Sequence, residues 1–332
     1  MRRMTWTVGL YWSIVAAVAT HPTSAAEPVG HGFPTGDVAS VQTVVTLADV
    51  PGAARLWAPH LAISVQGNLV VALGAMLPNK SDMGDILACV STNQGKQWNP
   101  SVTVFDHRHA DGGPEFAYAN PILYQPPGDA RLWCFAMRCP LTEAHSEDSE
   151  LVAATSSDGG QSWIGVPLQT HGIAPIIIAG SVLRYASSER TIYLLPGHRN
   201  TLRSNPEGVR EQFILESDDL VEWRCAGTIP QPVERRVFLH EGHLALGDEP
   251  GTLELVTRTS DYLTEGRILD PPRAYRSTSL DGGRTWTAAT SAPGLFNNAS
   301  KGFFTRSSTG QYVYVYNDGP GNRREALRYR LR

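Results

Sequence analysis

A turn sequence that recurs four times at near-constant spacing constrains the fold of this chain more than any other feature. The string Ser-x-Asp-x-Gly-x-Thr-Trp occupies residues 279–286, and a close copy occupies residues 156–163. A third copy, at residues 91–98, has Asn in place of Asp, and a fourth, at residues 217–223, is one residue shorter and has no glycine. The first serines, at 91, 156, 217 and 279, are 65, 61 and 62 residues apart, so the chain repeats one supersecondary unit.

The residues of this string suit a tight turn between two strands. An aspartate or asparagine side chain bonds back to nearby main-chain amides, glycine accepts a positive φ, and tryptophan anchors the turn on apolar surface. The string resembles the Asp box of the sialidase superfamily and of other β-propellers. The resemblance implies an all-β propeller fold and a structural role for the boxes, and it assigns them no part in catalysis.

Each repeat contains a hairpin and then a third strand that leads into the Asp box position. The hairpins are predicted over residues 60–75, 120–138, 180–197, 241–258 and 301–317, and the third strands over residues 85–90, 150–155, 210–216, 273–278 and 324–330. The fifth repeat has no box, and residues 38–47 alternate like a strand, so this segment is predicted to supply its fourth strand. We therefore predict a β-propeller of four-stranded blades, with five blades closed by an N-terminal strand and six blades as the alternative.

The first 26 residues are predicted to be a secretory signal peptide. They contain Arg2 and Arg3, an apolar run from Val8 to Ala19, which is too short for a membrane anchor, and small residues before Glu27. Residues 27–332 contain no linker and are predicted to form a single sialidase-like propeller domain, exported to a periplasm or out of the cell. Loss of the two arginines takes the formal charge from -4 to -6, which argues against nucleic acid and anionic membranes as partners.

The cysteines permit disulfides but do not indicate a metal site. In an exported protein Cys89, Cys134, Cys139 and Cys225 can pair in three ways, and Cys134 with Cys139 is the local candidate. No spacing of cysteines and histidines resembles a zinc site. We therefore expect no metal and no organic cofactor.

Polar and charged residues flank the predicted hairpins, where inner strands begin and second strands end. In a propeller these positions lie over the central channel, so the side chains are expected to converge on one face. They are Arg55, His60, Asn120, Arg138, His198, Arg199, His240, Glu241, His243, Arg258, Lys301, Asn317, Asp318, Arg323 and Arg324.

The fourth repeat is similar to the sialidase pattern in which a glutamate begins an inner strand and an arginine ends the next. The matching residues are Glu241 within the sequence of residues 240–246 and Arg258 at the end of residues 251–258. The resemblance implies that Arg258 is one of three arginines that hold the substrate carboxylate and that Glu241 polarises a tyrosine nucleophile. His243, two residues after Glu241, is a further candidate substrate-binding residue.

The remaining candidates come from the first and fifth repeats. Arg55, which precedes Pro59, resembles the first arginine of the family's set, and Arg324 or its neighbour Arg323 corresponds to the third; Asp82 resembles the acid/base aspartate. Three guanidiniums from three blades can hold a planar carboxylate by charge-assisted, partly bidentate bonds. An aspartate on a loop can protonate a leaving oxygen. No tyrosine of this sequence occupies the family position of the nucleophile.

Three functions are compatible with this set of residues. We expect an exported sialidase-like glycoside hydrolase that releases a terminal acidic sugar, such as sialic acid, from glycans. The second hypothesis is a lyase or hydrolase acting on uronic-acid polysaccharides, with His60, His240 or His243 as the base. The third is a carbohydrate-binding propeller without catalysis.

Overall fold

Twenty β-strands and one short 3-10 helix, Leu47–Asp49, make up the regular structure of the described part of the chain. The computed structural model describes residues 43–108, 115–141, 148–187, 190–264, 267–318 and 327–332. The predicted signal peptide, Arg323 and Arg324 lie outside these residues. No helix within them is long and apolar enough to span a membrane.

The strands of the described residues form four antiparallel sheets, and the first sheet joins two four-stranded sets through a single pair, Gly84 with Tyr118. We call the resulting five sets, in chain order, blades 1 to 5. Blade 1 consists of β1 (Arg55–Ile63), β2 (Leu69–Met76), β3 (Gly84–Ser91) and β4 (Val102–Phe105), and blade 2 of β5 (Phe116–Tyr124), β6 (Leu132–Pro140), β7 (Glu150–Ser156) and β8 (Ile164–Val166). Blade 3 consists of β9 (Ile177–Ile178), β10 (Leu183–Ala186), β11 (Thr191–Asn200), β12 (Arg210–Ser217) and β13 (Arg224–Thr228). Blade 4 consists of β14 (Val237–Leu246), β15 (Leu253–Asp261), β16 (Arg273–Ser279) and β17 (Thr290–Phe296), and blade 5 of β18 (Phe303–Arg306), β19 (Tyr312–Asn317) and β20 (Leu327–Leu331).

The predicted hairpins and third strands are confirmed in every repeat, within the residues that the structure describes. Each inner strand pairs with the second strand of its blade, and the second with the third. In blade 3 the inner strand is broken, because β9 and β10 pair with different parts of β11. The apolar clusters lie between successive blades, so the blades pack face to face as in a propeller.

Of residues 38–47, predicted to supply the fourth strand of blade 5, only residues 43–47 belong to the described part of the chain. Val44 and Val45 are buried in a cluster with Leu56 and Val71 of blade 1. The chain then turns into the 3-10 helix, because the Asp49 carboxylate accepts hydrogen bonds from the Thr46 main-chain N–H at 2.8 Å and hydroxyl at 2.7 Å. Val44 and Val45 therefore pack on blade 1.

The Asp boxes are structural turns, as their residues predict. In the box at residues 279–286, Asp281 Oδ1 accepts hydrogen bonds from the main-chain N–H groups of Arg284 and Thr285 at 3.1 and 2.9 Å. The indole N–H of Trp286 donates to the carbonyl of Gly283 at 3.0 Å. Gly283 has a φ of +93°, a conformation that favours glycine.

The shortened box at residues 217–223 forms the same indole bond without any glycine. Trp223 donates to the carbonyl of Leu220 at 3.0 Å, and Leu220 takes a φ of +70°. Both side chains belong to the apolar cluster between blades 2 and 3. Leu220 thus adopts a left-handed conformation that residues with a Cβ usually avoid, and its side chain is buried there.

We predict that Gly160→Ala destabilises the protein by about 2 to 5 kcal/mol, from left-handed strain and overpacking together. Gly160 has a φ of +97°, and an added Cβ would lie 2.9 Å from the methyl groups of Val70 on blade 1. Gly128, with a φ of +79° and no atom within 4 Å of its Cβ position, is the control, and Gly128→Ala should cost about 1 to 2 kcal/mol. Denaturant unfolding measures both losses; equal losses would contradict a packing role for Gly160.

The local candidate among the three possible cysteine pairings, Cys134 with Cys139, is excluded, and all four cysteines are free thiols. Both residues lie on β6, five positions apart. A strand rises about 3.3 Å per residue, so their Cα atoms are roughly 16 Å apart. A disulfide requires Cα atoms about 4.4 to 6.8 Å apart. The straight strand therefore excludes this pairing.

The inner strands of blades 1, 2 and 4 share one irregularity. Ala58, Asn120 and Glu241 have left-handed φ values of 46°, 51° and 50°, and each lies at a shift in the register of its inner strand. Ala299, with a φ of 57°, holds the corresponding position before β18. Such bulges redirect side chains, and left-handed non-glycine residues cluster at functional sites.

Two residues after these four positions lie His60, Ile122, His243 and Lys301. We call these four residues, together with Ser181 of blade 3, the inner ring. His60 Nε2 lies 3.1 Å from Ser181 Oγ, so the ring brings blades 1 and 3 into contact.

Candidate active site

A nearly buried ion pair between Glu241 and Arg258 is the centre of the candidate site. Arg258 lies opposite His240 in the β14–β15 ladder, and the bulge at Glu241 brings the two side chains together. Arg258 Nη1 donates to Glu241 Oε2 at 2.8 Å, and the side chains are only 14% and 16% exposed. The Glu241 main-chain N–H donates to Nδ1 of His198 at 3.3 Å, which ties the pair to blade 3.

Arg258 retains an unused hydrogen-bond donor. Its Nε is buried and has no hydrogen-bond partner in the described residues. A buried donor without a partner costs about 1 to 3 kcal/mol, so native structures usually satisfy it. A carboxylate is the ligand that the guanidinium fork suits best.

The ion pair keeps Glu241 ionised. Burial by itself would raise the pKa of this carboxyl, but the charges of Arg258, His240 and Lys301 outweigh burial and hold the pKa well below its ordinary value. Glu241 can therefore stabilise positive charge, but at neutral pH it is neither a proton donor nor an effective base.

Lys301 contributes a second cation to this centre. It precedes β18, keeps part of its surface exposed, and interacts electrostatically with Glu241 and Arg258. Burial lowers the pKa of its amine, and Glu241 opposes this effect. Across the described ranges, no acceptor lies within hydrogen-bond or ion-pair distance of the ammonium.

Three buried histidines, His198, His240 and His243, and the half-buried His60 lie near the charged residues. Burial, together with the charge of Lys301, lowers the pKa of His60 and of His243 to about 3. Burial lowers the pKa of His198 to about 4 and that of His240 well below its usual value. The imidazoles are consequently neutral at physiological pH, and they are weak bases.

These histidines predict an acid-labile fold. The unfolded chain binds protons below about pH 6.5 and the folded protein does not, so the free energy of unfolding should fall as the pH decreases from 6.5 towards 4. Each histidine contributes up to about 1.4 kcal/mol per pH unit. Denaturant unfolding from about pH 7.5 down to about pH 5 measures how steeply the free energy of unfolding falls with pH. His60→Gln removes one of the four histidines, so it should reduce this slope by the contribution of that histidine. A flat profile would contradict the neutral state of the four imidazoles.

The structure places the other sequence candidates on blade 1 or outside the described residues. Arg55 is the exposed first residue of β1 and pairs with Met76, and the main-chain N–H of Asp82 donates to Met76 Sδ at 3.2 Å. Neither Arg55 nor Asp82 is hydrogen-bonded to the Glu241–Arg258 pair. The structure therefore unites Glu241, Arg258 and His243 and leaves Arg55 and Asp82 together at one end of blade 1.

The tyrosines of β19 are packing residues between blades 4 and 5. Tyr314 donates its hydroxyl to the Phe296 carbonyl at 3.0 Å and stacks on Tyr316 with ring centroids 5.4 Å apart. A cavity of about 470 Å³ lies beside them, lined in part by Tyr312, Tyr314 and Arg330. None of the residues around Glu241 contributes to that cavity, so the chemistry lies elsewhere.

A separate group on blade 1 offers three potential metal ligands. Suitable atoms of Asp85, Asp106 and His107 lie within 4.8 Å of one another. Asp85 Oδ1 already accepts hydrogen bonds from the main-chain N–H of His107 at 2.6 Å and from its Nδ1 at 2.7 Å. These bonds fasten the chain after β4 to the start of β3.

The sequence interpretation named Lys301 and His198 among the polar residues expected to converge over the channel, but it gave neither of them a role in the site. A signal for Lys301 exists, because the triplets Ala58-Pro59-His60, Glu241-Gly242-His243 and Ala299-Ser300-Lys301 occupy equivalent positions in three repeats. When the three triplets are aligned by the residue at the bulge, Lys301 takes the position equivalent to His60 and His243. His198 has no such signal, since it belongs to a second strand.

Comparisons with known proteins agree with this architecture. The model of the BNR repeat-like domain matches residues 67–332. No curated protein matches the sequence. The NanB sialidase of Streptococcus pneumoniae is 12% identical with a TM-score of 0.61, over 92% of this chain and 61% of that chain. The leech intramolecular trans-sialidase is 13% identical with a TM-score of 0.65, over 87% and 59%.

A third similar structure is the α-L-arabinanase of Penicillium chrysogenum, 15% identical with a TM-score of 0.54, over 80% of this chain and 76% of that chain. This chain spans about three fifths of the length of the two sialidase structures. The likenesses establish a glycoside-hydrolase-like β-propeller fold. The family model covers 266 of the 332 residues. The protein therefore belongs to the BNR repeat-like domain family.

Proposed function

We propose that this protein is an exported sialidase-like glycoside hydrolase that releases a terminal acidic sugar from glycans. The observation that carries this proposal is Arg258, held by Glu241 where the inner strands converge, with its buried Nε unpaired in the described residues. The names of the similar structures, two sialidases and an arabinanase, support a carbohydrate substrate. Export rests on the signal-like sequence of residues 1–26.

Each candidate residue then has a distinct role. Arg258 binds the carboxylate of the sugar through its guanidinium, and Arg55 with Arg323 or Arg324 completes the set of arginines. Ionised Glu241 stabilises the positive charge that develops on the sugar as the glycosidic bond breaks. Asp82, on its exposed loop, donates the proton to the leaving oxygen.

The alternative of a lyase with a histidine base has less support. A general base works best when its pKa is near the operating pH. The pKa values of His60 and His243 are about 3, and that of His240 is well below its usual value. These imidazoles would be poor bases for removing a proton from a sugar carbon.

The test is hydrolysis of fluorogenic sialic acid and uronic acid donors by the mature protein and three variants. Arg258→Lys keeps the positive charge but loses the Nε donor, so we expect KM for acidic donors to rise about tenfold or more. Asp82→Asn should lower kcat about 100-fold or more. Arg224→Lys, at an exposed site on β13, should change neither constant.

Two outcomes would overturn the proposed hydrolase. One is absence of product from every donor with protein shown to be folded. The other is turnover that is unchanged in both Arg258→Lys and Asp82→Asn. If acidic sugars bind without being cleaved, and Arg258→Lys weakens that binding, the non-catalytic carbohydrate-binding hypothesis takes the place of the hydrolase.

A further inference from the structure

The cavity between blades 4 and 5 is separate from the candidate active site and is large enough for a small molecule. Its volume of about 470 Å³ is within the usual range of ligand sites. One wall consists of an apolar cluster that includes Val256, Phe304 and Tyr314. On the side of blade 4, β17 contributes the small residues Ala292 and Gly294 to the lining, and these short side chains leave the space open.

Aromatic side chains of blade 5 form the apolar wall of this cavity. Phe304 and Tyr312 stack with ring centroids 5.6 Å apart and ring planes 5° apart, and Tyr314 lies on the same face of β19 as Tyr312. Tyr312 is half-buried, and its hydroxyl has no hydrogen-bond partner among the described residues. The wall can therefore pack against the carbon atoms of a ring, and the phenol can form a hydrogen bond with a hydroxyl group of that ring.

Two arginines bring guanidiniums to the same cavity. Arg276 on β16 and Arg332 after β20 line it and are exposed, so solutes can reach them from solvent. Within the ranges that the structure describes, neither guanidinium forms a hydrogen bond or an ion pair. Main-chain hydrogen bonds of 2.8 and 3.0 Å between Arg332 and Tyr312 fix this arginine beside the aromatic wall. A guanidinium suits a carboxylate, which it can bind through two parallel N–H groups.

Two carboxylates of the lining supply hydrogen-bond acceptors. Asp248 Oδ1 accepts from Arg306 Nη2 at 2.9 Å, and Glu254 Oε2 accepts from the Thr278 hydroxyl at 3.2 Å. Both carboxylates retain lone pairs that can accept further hydrogen bonds. An acid without hydroxyl groups would cover these acceptors without bonding to them, which is unfavourable. A sugar acid offers its carboxylate to the arginines and its hydroxyls to the acceptors, so it suits the whole lining.

We propose that this cavity is a second carbohydrate site, which binds one acidic sugar residue, a hexuronate, of a glycan. Arg276 and Arg332 bind the carboxylate, Phe304 and Tyr312 pack against the sugar ring, and Glu254 accepts a hydrogen bond from a sugar hydroxyl. Binding here breaks no bond in the sugar. Neither residue of the Glu241–Arg258 pair lines the cavity, so this site does not depend on whether the protein hydrolyses glycans.

The experiment measures binding of D-glucuronate by saturation-transfer NMR. The mature protein carries Arg258→Lys in every sample, so that binding at the candidate active site is weakened throughout. We expect saturable binding, and D-glucose, which lacks the carboxylate, should bind at least about tenfold more weakly. Arg276→Met should weaken glucuronate binding about tenfold, which corresponds to the loss of one charge-assisted hydrogen bond.

A second variant fills the cavity without changing a charge. Gly294 does not have a positive φ, and a Cβ built on it would lie 3.5 Å from its nearest neighbour, Nη1 of Arg330, so the strand accepts a side chain there. Gly294→Leu should therefore fold and reduce glucuronate binding at least as much as Arg276→Met does. Arg235→Met, at an exposed arginine that does not line the cavity, is the matched control and should not change binding.

Four outcomes would overturn the proposed second site. They are the absence of saturable binding, equal binding of glucose and glucuronate, displacement of glucuronate by cyclohexanecarboxylate at equal concentration, and undiminished binding in both Arg276→Met and Gly294→Leu. Thermal unfolding verifies that each variant is folded. With the Arg258 side chain intact, Arg276→Met should leave hydrolysis of small fluorogenic donors unchanged, so failure of the second site and failure of the proposed hydrolase are separate results.

Discussion

Glu241→Ala should destabilise the protein by about 3 to 5 kcal/mol, because it leaves the guanidinium of Arg258 enclosed without its carboxylate and beside Lys301. The main chain tolerates alanine at this position, since Ala58 and Ala299 take the same left-handed conformation at the equivalent bulges of blades 1 and 5. The loss of stability in Glu241→Ala therefore measures the effect of removing the carboxylate and not an effect of backbone strain. Denaturant unfolding at neutral pH measures it.

Two further variants make this prediction specific. Asp218→Ala breaks an exposed ion pair with Arg224 and should cost less than about 1 kcal/mol. Adding Arg258→Met to Glu241→Ala should recover most of the stability, because no isolated buried charge then remains. If Glu241→Ala cost no more than Asp218→Ala, the ion pair would not be buried in solution.

Trp223→Ala should destabilise the protein by about 3 to 5 kcal/mol, although it alters the Asp box that departs furthest from the repeat pattern. The indole is 0% exposed, packs edge-on against Phe135 with centroids 5.6 Å apart, and donates to the Leu220 carbonyl. Its removal leaves a cavity between blades 2 and 3, where the cluster includes the largest buried side chains. Thermal and denaturant unfolding measure the loss.

Trp98 provides the matched comparison from the Asp box of blade 1. Its side chain is half-buried, and its indole N–H has no hydrogen-bond partner within the described ranges. Trp98→Ala should therefore cost less, about 1 to 3 kcal/mol, in proportion to the smaller apolar area that it removes from contact. Equal losses for both tryptophans would show that the boxes act by sequence pattern alone, independently of their burial.

The two predictions concern different parts of one architecture. The boxes anchor the outer turns through an indole placed between blades, and the bulges deliver polar side chains to the centre. A change at a box should lower stability with no specific effect on ligand binding. A change at the Glu241–Arg258 pair should alter binding of acidic sugars, and the variants above separate these consequences experimentally.

The candidate site was predictable in part. Glu241, Arg258 and His243 were identified from the fourth repeat, where both strands of one hairpin lie close in sequence and their pairing follows from the turn. Lys301 and His198 join them from blades 5 and 3, and that association depends on how separate sheets pack. Arg55 and Asp82 remain predictions, since the structure places them on blade 1 without contact to the ion pair.

By itself the sequence determined the repeat, the hairpins and the turns, because alternation with a period of two and the conformational needs of Asp, Gly and Trp act over a few residues. The local cysteine pairing, Cys134 with Cys139, was excluded because sequence proximity does not give distance along a straight strand. Only the tertiary structure decided that the inner strands carry bulges, that Arg258 and Lys301 lie beside one carboxylate, and that His60 contacts Ser181 of another blade. These features lie where blades that are distant in sequence meet. Burial determines their charge states and hydrogen bonds, and a local sequence pattern does not predict that burial.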